Sequence, residues 1–133
     1  MKLLDTTFLI HHWAGRDAVA DYLERHEESE FATTTLNIKE IAVGREFQGK
    51  LDPFEIKSQF AWVRTIPFQL EHAILAGELE AALHRDEQIN QEKINSLAGD
   101  VLIAAVAKAT GATVVTRNRD DFELLDGVSV ESY

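Results

Sequence analysis

The stretch Ala98-Gly99-Asp100-Val101-Leu102-Ile103-Ala104-Ala105-Val106-Ala107, followed after Gly111 by Ala112-Thr113-Val114-Val115-Thr116, decides the fold. Its first part predicts an apolar helix from Leu97 to Ala109, and Gly111 is the stop signal. Its second part is β-branched and apolar, the clearest strand in the chain. Working outward, Lys2-Leu3-Leu4-Asp5 and Phe31-Ala32-Thr33-Thr34 read as short strands, Thr65-Ile66-Pro67-Phe68 as an edge strand, and Val128-Ser129-Val130 as a last one. Helical patterns lie between them. Thr6-Thr7 is a cap signal before Phe8 to Trp13, and a second helix starts near Asp17 and runs to about Glu28. Thr35 caps a helix from Leu36 to about Phe47. Pro53 opens one that uses Phe54, Ile56, Phe60, Ala61 and Trp62. Gln69 to Arg85 reads as one long helix with Leu70, Ile74, Leu75, Leu79, Ala82 and Leu83 inside. Asp86 to Asn95 reads as a polar turn, and Arg117 to Asp121 as a polar loop. Strands alternating with helices predict an α/β fold with a central, mostly parallel sheet flanked by helices.

The 133 residues are expected to form one domain, 1–133. The chain has no cysteine, so disulfides and thiolate metal sites are excluded and a cytoplasmic home is expected. No apolar run approaches the roughly 20 residues of a membrane span. The net charge of −10 disfavours a simple nucleic-acid binder, because phosphate contacts call for Lys and Arg. It is compatible with a nuclease whose acids hold a cation that then attracts phosphate. A high-salt cytoplasm or a basic protein partner accounts for the same charge.

Two acids stand in apolar surroundings. Asp100 interrupts the helix quoted above. Glu40 interrupts the stripe Leu36, Glu40, Val43 and Phe47, whose 4, 3, 4 spacing marks one helical face. A carboxylate turned toward a core costs several kcal/mol unless a cation or hydrogen bonds compensate it. Asp5 ends the first strand, and Asn118, Asp120 and Asp121 follow the strand ending at Thr116. Ligand sites in open α/β sheets lie beyond the carboxyl ends of the strands, so these acids converge by topology. Oxygen ligands alone suit Mg²⁺ or Mn²⁺, and such ions promote hydrolysis of phosphate esters. Thr6, Thr7 and Thr116 offer hydroxyls for orientation, and Arg117 and Arg119 offer cations for a substrate phosphate.

Each residue has a plainer reading beside this one. Asp5 is also placed to cap the next helix, Glu40 to share a solvated face with Lys39, and Asp100 to face a helix dipole. Asp120 and Asp121 are loop acids, and loop acids are usually solvated. The five histidines show no metal-ligand spacing, and there is no glycine-rich phosphate loop or nucleophile elbow. A phosphatase with Asp5 as nucleophile lacks an acid at Thr7. A phospho-receiver domain calls for a lysine ending a late strand, where this chain has Thr116 and Arg117.

Four segments in order resemble the PIN-domain ribonucleases, and among them the VapC toxins of type II toxin–antitoxin systems. They are Leu3-Leu4-Asp5-Thr6-Thr7-Phe8-Leu9-Ile10, Thr35-Leu36-Asn37-Ile38-Lys39-Glu40, Gly99-Asp100-Val101-Leu102-Ile103-Ala104-Ala105, and Thr116-Arg117-Asn118-Arg119-Asp120-Asp121-Phe122. The resemblance covers essentially the whole chain. It implies a Mg²⁺- or Mn²⁺-dependent endoribonuclease, usually a homodimer, neutralised by a cognate antitoxin whose C-terminal segment wraps the toxin. It further implies Asp5, Glu40, Asp100 and Asp121 as the acidic quartet, with Asp5 and Asp100 as the most direct metal ligands. Whether Asn118 or Asp121 completes the site stays open, because some relatives carry Asp at the position of Asn118. A PIN-like module that binds a partner without cleaving RNA is the alternative.

Overall fold

A computed structural model describes residues 1–133. The chain runs β1 (Lys2–Leu4), α1 (Thr6–Trp13), α2 (Asp17–Arg25), β2 (Phe31–Thr34), α3 (Thr35–Phe47), α4 (Pro53–Gln59), β3 (Arg64–Ile66), α5 (Leu70–Arg85), α6 (Gln91–Ser96), α7 (Ala98–Thr110), β4 (Thr113–Val115), α8 (Arg119–Glu123) and β5 (Ser129–Glu131). The five strands form one sheet in the order β3-β2-β1-β4-β5, and every neighbouring pair is parallel. Chain order therefore reverses between β1 and β4, which pair through Leu3 with Val114 and Leu4 with Val115.

Successive strand residues point to opposite faces, and two cores follow from that alternation. Leu3 and Val114 belong to one, with Leu79, Leu83, Ile94, Leu97, Ile103, Val106 and Phe122 from α5 to α8. Leu4 and Val115 belong to the other, with Phe8, Leu9, Val19, Tyr22, Ile41 and Ile56 from α1 to α4. Both faces of the sheet are covered, as an all-parallel sheet requires. α7 is the central helix. It packs along α5 and also touches α3, α6 and α8. Gly111 ends it in the left-handed region at φ 70°, where a side chain would be strained. No helix is long and apolar enough to cross a membrane.

Several local expectations are corrected. Asp5 caps α1, accepting from the Thr6 amide, so Thr6 is inside the helix rather than before it. Thr34, not Thr35, caps α3, in a reciprocal box with Asn37. The helix from Pro53 stops at Gln59, before Trp62. Leu70 and Ile74 are 77% and 60% exposed, and Ala82 is exposed too. α5 buries a single face through His72, Ala76, Leu79 and Leu83. The polar segments at 86–95 and 117–121 each yield a short helix, α6 and α8. The Asn90 cap and Glu92 in the first turn favour α6, and the first-turn acids Asp120 and Asp121 favour α8, despite the lack of apolar periodicity.

Candidate active site at the sheet switch point

Asp5 stands at the end of β1 and Thr116 just past β4, on the two strands where chain order reverses. Such a switch point opens a crevice that ligands use in open parallel sheets. Asp5 is 5% exposed and held by three donors. The Thr6 amide donates to Oδ1 at 2.9 Å, Asn37 Nδ2 to Oδ1 at 3.3 Å, and Thr116 Oγ1 to Oδ2 at 2.8 Å. Burial pushes its carboxyl up despite these bonds. Its capping role and its place in the crevice coexist, because the cap uses only one lone pair of one oxygen.

Asn37 links the elements. Its Nδ2 also donates to Thr6 Oγ1 at 2.9 Å, and its Oδ1 accepts from Thr34 Oγ1 at 2.6 Å and from the Thr34 amide at 3.2 Å. Thr6 in turn donates its hydroxyl to Glu40 Oε2. The end of β2, the start of α3 and the start of α1 are thus fastened to Asp5 by one buried residue. The stripe Leu36, Glu40, Val43 and Phe47 is not the core face of α3. Asn37 and Ile41 are its buried residues, while Val43 and Phe47 are exposed. Glu40 lies half-buried on the flank, where Thr6 and the close backbone of α7 meet it. A Cβ added at Gly99 would come within 3.4 Å of Glu40 Oε1.

Asp100 lies in the first turn of α7 and makes no side-chain hydrogen bond. Its carboxyl is pushed up to about 7, chiefly by burial, then by the charges of Asp5, Asp121 and Glu40. Lys93 works in the opposite direction. Asp121, in α8, is bound by Lys93 Nζ at 2.6 Å. Asp5, Glu40 and Asp121 therefore all lie within electrostatic reach of Asp100. Asp121 adds a charge within reach of Asp100, and Asn118 adds none. Asn118 donates its backbone N–H to Thr116 Oγ1 at 2.9 Å. Asp120 is exposed. Arg119 turns to Glu123 at 2.7 Å, and Arg117 lies over the Tyr133 ring at 4.3 Å. Those two arginines, with Asn118, Asp120 and Asp121, line a shallow polar depression of about 260 Å³.

The donors are hard oxygens with unbalanced negative charge, which fits Mg²⁺ or Mn²⁺. No three acids close on a common point. An ion would be held through one or two carboxylates and its own waters, the usual arrangement for Mg²⁺.

Asn37 and Lys93 went unnoticed in the sequence. Asn37 had one signal, its position three residues after Thr34, which is the capping-box spacing. Lys93 had none, being one lysine in a polar stretch.

An all-parallel sheet with an acid-lined crevice at its reversal point defines an α/β protein with its candidate site at the ligand-binding edge of the sheet. The PIN domain family model matches residues 2–128, and the chain belongs to that family. No curated protein matches it significantly. Among solved structures it is similar to VapBC2 from Rickettsia felis bound to a promoter DNA fragment, at 21% identity and TM-score 0.78, covering 99% of this chain and 98% of that one. It is similar to DNA-bound VapBC from Salmonella typhimurium at 20% identity and TM-score 0.77, covering 98% and 96%. FitAcB from Neisseria gonorrhoeae matches at 24% identity and TM-score 0.74, covering 98% and 96%.

Proposed function

We propose that this chain is a VapC-type toxin, an endoribonuclease that hydrolyses RNA phosphodiesters with Mg²⁺ or Mn²⁺ and is silenced by a cognate antitoxin. The observation that carries this reading is Asp100, an unpartnered acid facing Asp5, Glu40 and Asp121. Like charges that push the Asp100 carboxyl up in the empty site are what a bound cation relieves. When bound, such an ion polarises a phosphate oxygen and makes water a stronger nucleophile. Asp5 and Asp100 would hold it. Thr116, Asn37 and the Thr6 amide fix the Asp5 carboxylate in one orientation. Thr6 fixes Glu40, which with Asp121 is placed to orient water or ion. Asn118 adds an uncharged donor at the rim. Arg117 and Arg119 steer the RNA phosphate on the side of the polar depression.

An antitoxin segment has a place to dock. Ile10, Trp13, Ala14, Ile41, Gly44, Arg45 and Gln48 line a groove of about 280 Å³ between α1 and α3, and Glu40 forms its edge. A chain lying there reaches the acids directly. A toxin–antitoxin complex from Klebsiella pneumoniae, to which this chain is also similar, supports this partner. The exposed Phe47, Phe54, Leu70 and Ile74 supply apolar surface for a second copy, in a homodimer in the cytoplasm.

The test is to incubate the purified chain with RNA and Mg²⁺ or Mn²⁺. Cleavage lost with EDTA and in Asp100→Asn is expected. Cleavage that survives both overturns the mechanism. The second reading, a PIN-like binding module, is favoured by the Lys93 contact on Asp121 and by the lack of a three-acid cage. It predicts intact RNA under every condition, with antitoxin binding retained.

A further inference from the structure

Lys93 is the cation that touches the acid cluster. Its Nζ lies 2.6 Å from Asp121 Oδ1, with both side chains partly exposed. It is not a loose surface lysine. The Asn90 side chain accepts the Lys93 amide at 2.8 Å, starting α6 on this turn. Ile94 and Leu97, just after it, are buried in the core. Leu97 closes α6 and opens α7, so Lys93 and Asp100 ride on one continuous, anchored unit. The other site acids are engaged differently. Asp5 is bound by neutral donors and Glu40 by a hydroxyl, neither of which removes charge. Asp100 has no hydrogen-bonding partner. Four carboxylates thus share one ammonium, and that ammonium is spent on Asp121.

We propose that Lys93 is a built-in competitor of the divalent ion: it withholds Asp121 from the ion and so sets how tightly the empty site takes it. This inference rests on the metal-dependent reading of the same site. Lys93 is a positioning residue here, acting on the ion through Asp121 and through its own charge.

The experiment is a Mn²⁺ titration of the full chain at pH 8, followed calorimetrically or by the electron-spin resonance of free Mn²⁺. Lys93→Met is expected to bind Mn²⁺ about tenfold more tightly, roughly threefold from the lost positive charge at a water-like dielectric and roughly threefold from the freed Asp121 carboxylate. Lys93→Arg, which keeps the charge, should stay within about twofold of the unaltered protein. In an Asp121→Asn background the Lys93→Met gain should shrink to about threefold or less, because no carboxylate is left to withhold. Unchanged or weaker binding by Lys93→Met overturns the inference, and so does an equal gain in both backgrounds. If neither the unaltered chain nor Lys93→Met binds Mn²⁺, the metal-dependent reading fails and the inference falls with it, whereas binding acquired only by Lys93→Met supports both.

Discussion

Loading the site with an ion should expel a proton from Asp100. Its carboxyl is pushed up to about 7 by burial and by the charges of Asp5, Asp121 and Glu40. Only the ionised form is a good ligand for Mg²⁺ or Mn²⁺, so binding and proton loss are linked. With a pKa near 7, ion binding should release about 0.9 proton at pH 6, about 0.5 at pH 7 and about 0.1 at pH 8. The apparent affinity should rise about tenfold from pH 6 to pH 8, as the ionised fraction grows from about a tenth to about nine-tenths. Calorimetric Mn²⁺ titrations in two buffers of different ionisation enthalpy measure the proton count directly. Asp100→Asn should abolish the release. Glu40→Gln should lower it at pH 7, because one of the repelling charges is gone. A release of zero at pH 7 with affinity flat from pH 6 to pH 8 would refute the reasoning.

The same carboxyl makes a stability prediction for the ion-free protein. Its folded-state pKa is raised, so its contribution favours folding at low pH and is lost as pH rises through about 7. Asp100→Asn should therefore stabilise the ion-free chain at pH 8, by about 1–2 kcal/mol after allowance for screening of a half-buried group, measured by urea unfolding. Asn37→Ala should destabilise by about 2–3 kcal/mol in the same assay, since it removes the α3 capping box and leaves Thr34, Asp5 and Thr6 short of partners. Thr116→Val removes the donor to Asp5 Oδ2, and carboxyl titration by NMR should find Asp5 pushed further up.

Much of this architecture was legible because it rests on short-range signals. The Ala98–Ala107 helix, the Gly111 stop and the β-branched strand after it are written in consecutive residues, and α7 and β4 fall where they point. Asp5 and Thr116 came together by topology, since each ends a strand beside the reversal point. Glu40 was singled out by a stripe that turned out to lie away from the core. Its place beside Gly99 and Thr6 depends on how α3 crosses α7, which no local pattern encodes. Leu70 and Ile74 were expected inside because the long helix is apolar on more than one side, yet only one face meets α7. Asn37 and Lys93 were missed for a related reason. Lys93 meets the site only through Asp121, 28 positions away, and Asn37 reaches beyond its local capping box to Asp5, 32 positions away.

The central claim is that a divalent ion is what makes this gathering of acids favourable. A crystal grown with Mn²⁺, with anomalous differences measured at the manganese edge, tests it most directly. The account predicts one strong peak between the carboxylates of Asp5 and Asp100. A featureless crevice at saturating Mn²⁺, in a protein that still cuts RNA in EDTA, would contradict it.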